Sequence, residues 1–304
     1  MSDVEGMDEF LDRYHEAMAS DFFALSTQEQ RRQYENLSNV FPYAVPADIE
    51  VRDGEVPGRD GHRFRSYRPR RPVGDGLLVY MHGGGFVVGS LDSHHTLAAE
   101  LAHNTGRTVV SSEFRQAPEH PFPAAVEDCY ELLRALAERP GLAGPDTVTD
   151  APVLCGDSSG ANLAVTVSMM CRDRGGVRPG GQGLISPVLD FARWWHGSDD
   201  PFGDEMAHYA RSYCPDPALV EHPYVSPLVR GEFHDLPPAY IMSTELDPLQ
   251  VDSERYAEHL RRHGVPVRHV MEPDLVHAPI RGRGLIPSVA DAWRRFCAAV
   301  GDMT

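Results

Sequence analysis

The stretch Val153-Leu154-Cys155-Gly156-Asp157-Ser158-Ser159-Gly160-Ala161-Asn162-Leu163-Ala164 joins an apolar run to a helical pattern through a Gly-x-Ser-x-Gly turn. The apolar residues predict a short buried strand, and the residues from Ala161 onward predict a helix. A chain that passes from strand to helix within two residues needs glycine on both sides, because a Cβ at Gly156 or Gly160 would crowd the backbone. Such a turn would lift the Ser158 hydroxyl above the sheet, beside the free N–H groups of a helix N-terminus.

Patterns typical of strands and helices alternate along the rest of the chain. A hairpin is predicted over 48–69, and buried strands are predicted at 77–81, 108–110, 152–155, 183–186, 238–243 and 265–271. Helical patterns occur at 93–104, 124–138, 161–174, 250–263 and 286–300. This alternation predicts an α/β fold, with a mostly parallel central sheet and helices on both faces. In such a sheet, ligands bind at the carboxyl ends of the strands.

Two segments depart from this alternation. Residues 1–45 are helical in pattern and precede the first strand, while residues 191–235 concentrate aromatic residues among prolines. We expect both segments to form a helical cap or lid, and residues 46–190 and 236–304 to form the core. The candidate substrate-binding residues are large aromatic side chains of the cap and of the loop after the first buried strand: Phe86, Trp194, Trp195, Phe202, Tyr209 and Tyr213. They predict an apolar pocket, although packing inside the cap would explain each of them individually.

Composition and charge restrict the class of protein. The 304 residues include 45 acidic and 28 basic side chains, a formal net charge of −17, which favours solubility and disfavours nucleic acid and anionic membranes as partners. Five cysteines are dispersed without Cys-x-x-Cys spacing, as is typical of reduced thiols. The acidic start, Met1–Glu9, is unlike a secretory signal, and no run approaches the ~20 apolar residues of a membrane span. We therefore expect a cytoplasmic protein, and the sequence leaves a homodimer open.

A run of glycines, His82-Gly83-Gly84-Gly85, follows the strand predicted at 77–81. Three glycines leave the backbone N–H groups bare, so that a substrate carbonyl can approach to hydrogen-bonding distance. A tight turn would explain the glycines alone. A phosphate-binding loop is disfavoured because the Gly-Lys-Ser/Thr ending of such loops is absent. We expect no cofactor and no metal, since the histidines form no spaced ligand set and His-Glu-x-x-His does not occur.

A base and an acid for Ser158 can be chosen by their order along the chain. Acyl transfer from a serine needs a base, an acid that holds the base, and donors for the oxyanion. On a parallel sheet the order is serine, acid, histidine, which Asp247 and His277 satisfy because each follows a predicted strand. Capping the next helix is the other interpretation of Asp247, and Asp252 is the fallback acid. His269 lies within the last strand and cannot easily reach Ser158.

These motifs, together with Phe-Arg-Gln-Ala-Pro-Glu-His-Pro-Phe-Pro-Ala-Ala at 114–125, strongly resemble the hormone-sensitive-lipase-like family of α/β hydrolases over about residues 46–300. The resemblance implies the α/β-hydrolase fold with a helical cap. It implies Ser158 as the nucleophile, His277 as the base and Asp247 as the acid.

The resemblance also implies an oxyanion hole formed by backbone N–H groups. The implied donors are those of Gly83 and Gly84, with Gly85 as a further candidate, and that of Ser159. Ser159 stands where the family usually has alanine, which preserves the N–H and adds a hydroxyl, and Ala161 stands where the family has glycine. The family's His-Gly-Phe near the base is His277-Ala278-Pro279 in this chain, which affects the conformation of that loop.

The function that follows is a serine carboxylic-ester hydrolase that acts through an acyl-enzyme on small to medium, largely apolar esters. The same site would also suit a deacetylase, lactonase or acyltransferase acting on a specialised metabolite. A non-catalytic ligand-binding module on the same fold is the alternative of another class. It is disfavoured because a binding module has no need to keep the serine, the acid and the histidine together.

Overall fold

The computed structural model describes residues 4–59, 61–74, 76–145, 147–197, 201–277 and 279–303. The strands are β1 (Ile49–Glu55), β2 (Arg63–Pro69), β3 (Gly76–Met81), β4 (Thr108–Ser112), β5 (Val148–Asp157), β6 (Gly181–Ile185), β7 (Ala239–Thr244) and β8 (Val267–Glu272). They form an eight-stranded sheet in the order β1-β2-β4-β3-β5-β6-β7-β8. The first two pairings are antiparallel and the others are parallel, which confirms the predicted hairpin and the mostly parallel sheet.

Helices cover both faces of the sheet. The α-helices are α1 (Met7–Ala17), α2 (Thr27–Val40), α3 (His95–Thr105), α4 (Ala124–Glu138), α5 (Ser159–Arg174), α6 (Phe191–Trp194), α7 (Pro201–Tyr213), α8 (Pro227–Arg230), α9 (Gln250–Arg262) and α10 (Pro287–Gly301). One apolar core lies between the sheet and α3 with α10, and another lies beneath α4, α5 and α9. The central strands are therefore rich in apolar residues, because both of their faces are buried, although β6 also buries Gln182. No helix in the described ranges combines the length and apolarity needed to cross a membrane.

Proline moves two predicted boundaries. The last strand begins at Val267 and not at Val265, and the intervening Pro266 has no N–H to contribute to the ladder. Helix α10 begins at Pro287, one residue later than predicted, because proline suits the first position of a helix, where no N–H is needed. Both shifts leave the carboxyl ends of the strands, where the candidate residues lie, unchanged.

The segments before β1 and between β6 and β7 lie against loops at the carboxyl ends of the strands. Arg31 of α2 donates hydrogen bonds to the carbonyls of Val87 and Ala117, each at 2.9 Å, in the loops that follow β3 and β4. The two segments also meet each other, since the rings of Phe23 and Tyr209 pack edge to face with centroids 5.5 Å apart. Helices from both segments thus approach the carboxyl ends of the strands, where the candidate site lies.

Candidate active site

The Gly-x-Ser-x-Gly turn has the strained geometry that its sequence predicts. Ser158 joins β5 to α5 with φ 53° and ψ −116°, a conformation that is costly for a residue with a side chain. A Cβ added at Gly156 would lie 2.4 Å from the carbonyl carbon of Gly160, and one at Gly160 would lie 2.0 Å from the carbonyl oxygen of Met81. Both positions therefore require glycine, and the turn is held by a 2.8 Å hydrogen bond from the Ser158 N–H to the Ile185 carbonyl.

Ser158, His277 and Asp247 form one continuous chain of hydrogen bonds. His277 Nε2 is 3.1 Å from Ser158 Oγ, and His277 Nδ1 is 2.7 Å from Asp247 Oδ2. Asp247 is buried, and its other oxygen accepts a 2.9 Å hydrogen bond from the Leu249 N–H. Asp247 lies before α9 and does not occupy its N-cap position, which is Leu249. The three residues selected by chain order thus converge at the ends of β5, β7 and β8.

The environment of His277 favours the charged form of its ring. Burial alone would lower the pKa of His277, but the charge of Asp247 and its hydrogen bond to the ring outweigh burial, so the pKa lies above its ordinary value. Because the Asp247 carboxylate accepts a hydrogen bond from the Nδ1–H group, the neutral ring presents Nε2 as an acceptor toward Ser158. This is the tautomer that a general base needs.

The alternative acid and base lie elsewhere. The carboxylate of Asp252 accepts hydrogen bonds from the N–H groups of Leu189 at 2.7 Å and Asp190 at 3.0 Å, and thereby holds the loop after β6. Burial raises the pKa of Asp252 to about 6. His269 Nε2 lies 2.7 Å from the hydroxyl oxygen of Ser243 on the neighbouring strand.

In the glycine run after β3, the N–H group of Gly83 does not have the oxyanion-binding role expected of it. The Gly83 N–H donates a 3.0 Å hydrogen bond to Asp157 Oδ1, so this N–H anchors the loop and is not free for an oxyanion. The prediction for Gly83 is thus corrected. Within the part of the chain that the structure describes, the N–H groups of Gly84, Gly85 and Ser159 have no acceptor. The open donors are therefore these three.

Asp157 is a member of the site that the sequence reasoning missed. It is buried, and its Oδ1 accepts a 2.5 Å hydrogen bond from the Tyr80 hydroxyl in addition to the one from Gly83. Its Oδ2 lies 3.6 Å from His94 Nε2. Burial alone would raise the pKa of Asp157, but His94 and Tyr80 outweigh burial and hold it below its ordinary range. The available signal was an acidic residue directly before the serine, at the end of an apolar strand.

The predicted substrate-binding aromatics fall into two groups. Phe202 and Tyr209 adjoin the site: the Phe202 ring centroid is 6.5 Å from that of His277, and the Tyr209 ring lies against Gly85, where an added Cβ would come within 2.2 Å of Tyr209 Cδ1. The others support the cap segment. The supporting contacts are a stacked Phe86–Tyr213 pair with centroids 3.6 Å apart, a Trp194–Phe202 contact at 5.4 Å, and a 3.1 Å hydrogen bond from the Trp195 indole to the Cys214 carbonyl. Phe86 and Tyr213 are fully buried, so their expected contact with substrate is corrected to a packing role.

The departures from the family pattern lie close to the reacting groups. The Ser159 side chain is buried and its hydroxyl has no hydrogen-bond partner among the described residues, while Ala161 is buried inside α5. Ala278 lies outside the described residues, and Pro279 starts a short 3-10 turn, Pro279–Gly282. That turn begins two residues after the base and is buried at Pro279, Ile280 and Gly282.

Comparison with known proteins gives the family of the chain. The family model of the α/β hydrolase fold matches residues 78–281. Esterase LipI of Mycobacterium tuberculosis is 34% identical over 243 residues, which cover 74% of this chain and 72% of that protein. An ethyl acetate hydrolase of Pseudomonas putida is 33% identical over 276 residues, 86% of each chain. A hyperthermophilic esterase of the archaeon Pyrobaculum calidifontis superposes with a TM-score of 0.86 at 30% identity, over 97% of this chain and 96% of that one. The chain belongs to the α/β hydrolase fold family and is a carboxylesterase of the serine hydrolase type, as its resemblance to hormone-sensitive-lipase-like enzymes predicts.

Proposed function

We propose that the enzyme hydrolyses esters through an acyl-enzyme on Ser158, with His277 as general base and Asp247 as the acid that orients it. The observation that carries the proposal is the unbroken chain of hydrogen bonds from Asp247 to His277 at 2.7 Å and from His277 to Ser158 at 3.1 Å. This geometry suits a nucleophile whose base is held by a third group.

In the first half of the proposed reaction, Ser158 Oγ attacks the ester carbonyl carbon while its proton passes to His277 Nε2. The carbonyl oxygen becomes an oxyanion, which the N–H groups of Gly84, Gly85 and Ser159 stabilise. The intermediate then collapses: the bond from carbon to the alcohol oxygen breaks, and the imidazolium gives its proton to the leaving alcohol. The products of this half are a free alcohol and an acylated Ser158.

In the second half, a water molecule attacks the acyl carbon and passes a proton to His277 Nε2. The bond from the acyl carbon to Ser158 Oγ breaks, and the proton returns to that oxygen. The net reaction converts ester and water into acid and alcohol. The raised pKa of His277 supports both halves, because Asp247 stabilises the imidazolium that forms in each.

We propose that residues 1–45 and 191–235, of which 1–3 and 198–200 lie outside the described residues, form a cap over this site. Phe202 of α7 and the aromatic contacts that hold it support a compact apolar pocket. Short esters suit such a pocket better than long ones. The ethyl acetate hydrolase of P. putida and the acetyl esterase of Salmonella schwarzengrund, 28% identical over 267 residues, are named for small esters of this kind.

A deacetylase, lactonase or acyltransferase would share the first half of this mechanism and differ in the substrate or in the final acceptor. We favour hydrolysis because relatives that are 33% or 34% identical are named as an esterase, an ethyl acetate hydrolase and a carboxylesterase. The dispersed cysteines, Cys129, Cys155, Cys171, Cys214 and Cys297, are free and buried, which supports the proposal of a reducing, cytoplasmic location. The formal charge of −17 supports a small-molecule substrate over nucleic acid.

Trapping the acyl-enzyme tests the proposal. The enzyme is mixed with para-nitrophenyl acetate, quenched in acid, digested and analysed by mass spectrometry, with Ser158→Ala as the control. We expect an acetyl group on the peptide that contains Ser158 in the wild type, and neither this adduct nor rapid release of nitrophenol in the variant. Acetylation of another residue, together with undiminished turnover by Ser158→Ala, would refute the assignment.

A further inference from the structure

One face of α7 is directed toward the site. Phe202, Glu205 and Tyr209 are three and four residues apart, so they lie above one another along the helix. At one end of this face the ring of Phe202 approaches that of His277, with centroids 6.5 Å apart. At the other end Tyr209 lies against Gly85 of the glycine run. Glu205 therefore lies between the base and the loop that carries the open N–H groups.

Glu205 is a half-buried carboxylate without a partner among the residues that the structure describes. Among the described residues, it makes no hydrogen bond and no ion pair, whereas the half-buried Glu100 pairs with Arg283 at 2.6 Å and Glu113 with Arg63 at 2.9 Å. Burial raises the pKa of Glu205, and His277 is the charged group in the described chain that opposes this shift. Withdrawing a carboxylate from water without a partner costs free energy, which a bound cation would recover.

Aromatic residues flank this carboxylate on α7, since Phe202 precedes Glu205 by three residues and Tyr209 follows it by four. Burial raises the pKa of Tyr209, and the charge of Glu205 raises it further. Arg281 lies over the Tyr34 ring at 4.9 Å, but it donates to the Ser93 carbonyl and forms no ion pair with Glu205. Aromatic faces beside an anion are the surroundings in which proteins bind organic ammonium groups.

We infer that Glu205 recognises a cationic group on the substrate, so that the enzyme prefers esters whose alcohol or acyl part carries an ammonium group over their uncharged isosteres. This inference rests on the proposed function, because Ser158 and His277 fix where the ester lies. Phe202 and Tyr209 would contact the methyl or methylene groups of the ammonium, while Glu205 supplies the opposite charge. The net charge of −17 would also draw such substrates toward the protein.

Two pairs of isosteric esters test the inference. Acetylcholine is compared with the acetate ester in which a tert-butyl group replaces the trimethylammonium group. Betaine ethyl ester is compared with the ethyl ester in which a tert-butyl group replaces the trimethylammonium group of the acyl part. The kcat/KM ratio of charged to neutral ester is measured for the wild type and for Glu205→Gln. Dividing the wild-type ratio by the ratio of the variant cancels the difference in intrinsic reactivity between the charged and the neutral ester. For at least one pair, we expect the preference for the charged ester to fall about tenfold in the variant.

Asp204→Asn is the matched control, because Asp204 is the exposed neighbour of Glu205 on the same helix and its loss changes the net charge equally. It should leave the ratios as in the wild type. Unchanged ratios for both pairs in Glu205→Gln, or an equal change in Asp204→Asn, would overturn the inference. Because Ser158→Ala should abolish turnover of all four esters, activity in that variant would count against the proposed function and not against Glu205.

A measurement on the wild type alone tests the inference even if the Glu205→Gln variant fails to fold. Choline and the alcohol with a tert-butyl group in place of its ammonium are compared as competitive inhibitors of neutral ester hydrolysis. We expect choline to bind about tenfold more tightly. Equal or weaker inhibition by choline, together with no charge preference on the acyl side, would overturn the inference without any substitution.

Discussion

The floor of the site, formed by the loops after β3, β5, β7 and β8, differs from α7 in how its polar groups are satisfied. In the floor, Ser158, His277 and Asp247 bond one another, and Asp157 has two hydrogen-bond donors. On α7, Glu205 has no partner within the described chain, although it is half-buried. The charged groups of the floor are therefore paired without a ligand, and its open N–H groups await only an oxyanion, whereas α7 presents a charge that a ligand can pair. On the proposals made above, the floor carries out the reaction and α7 selects the substrate.

Removal of the Asp247 charge should give the largest effect and test the floor directly. Asp247→Asn keeps the size of the side chain, but its amide can favour the wrong tautomer of His277 and cannot offset the imidazolium charge. We expect kcat for a neutral ester to fall about 10⁴-fold with little change in Tm.

Asp252→Asn is the control for this substitution, because Asp252 is equally buried five residues later but bonds the N–H groups of Leu189 and Asp190. Its kcat should stay within about threefold of the wild type, since these contacts do not reach His277. A greater loss in Asp252→Asn than in Asp247→Asn would transfer the role of acid to Asp252.

Loss of the anchor of the glycine run should give the next largest effect. Asp157→Ala releases the Gly83 N–H, so the loop that carries Gly84 and Gly85 loses its position relative to the developing oxyanion. We expect kcat to fall about 10²-fold, the usual cost of one oxyanion-hole donor. Tyr80→Phe, which removes a donor to Asp157 but keeps the bond from Gly83, should cost less. If Asp157→Ala lowers Tm while kcat is retained, Asp157 serves only stability.

The pH dependence should show a smaller but systematic effect. Protonated His277 cannot accept the Ser158 proton, so kcat/KM for a neutral ester should fall about tenfold per pH unit below the pKa of His277. Because the Asp247 charge outweighs burial, the midpoint should lie above about 6.5, the ordinary value for histidine. In Asp247→Asn the midpoint should move to lower pH. A profile without an acidic limb, or one unchanged by that substitution, would show that another group is the base.

Substitutions in the cap should have the smallest effects on activity, and these effects should appear in KM because the cap contributes to substrate binding. Phe202→Ala removes an apolar surface beside His277 and should raise KM for a butyrate ester about fivefold, as expected from roughly 1 kcal/mol of lost apolar contact. Trp195→Ala is the comparison, because the Trp195 indole bonds the Cys214 carbonyl and supports the far side of the segment. Equal effects of the two changes would indicate that general packing of the cap, and not contact with the substrate, sets KM.

The difference between the floor of the site and α7 also explains which features could be predicted from the sequence. Gly156 and Gly160 identify the turn because its steric demands are local, and Asp247 and His277 follow from chain order because parallel strands end at one edge. The function of Gly83 could not be deduced, since it depends on a hydrogen bond to Asp157, 74 residues later.

On α7 the pattern of aromatic residues predicted substrate contact for Phe202 and Tyr213 alike, although Phe202 lies beside His277 and Tyr213 is fully buried. Both residues are large and aromatic, and only their surroundings in the fold distinguish them. Glu205 was missed for a related reason. One of two adjacent acids on a helix of mixed composition carries no signal until its surroundings in the fold are known.

The measurement that tests the central claim most directly is the coupling between His277 and Asp247. The values of kcat/KM for a neutral ester are determined for His277→Ala, Asp247→Asn and the double variant. Because the acid acts only through the base, the double variant should be no less active than His277→Ala alone. If the two losses multiply, Asp247 acts independently of His277, and the hydrogen-bonded chain from Asp247 to Ser158 is not the catalytic unit.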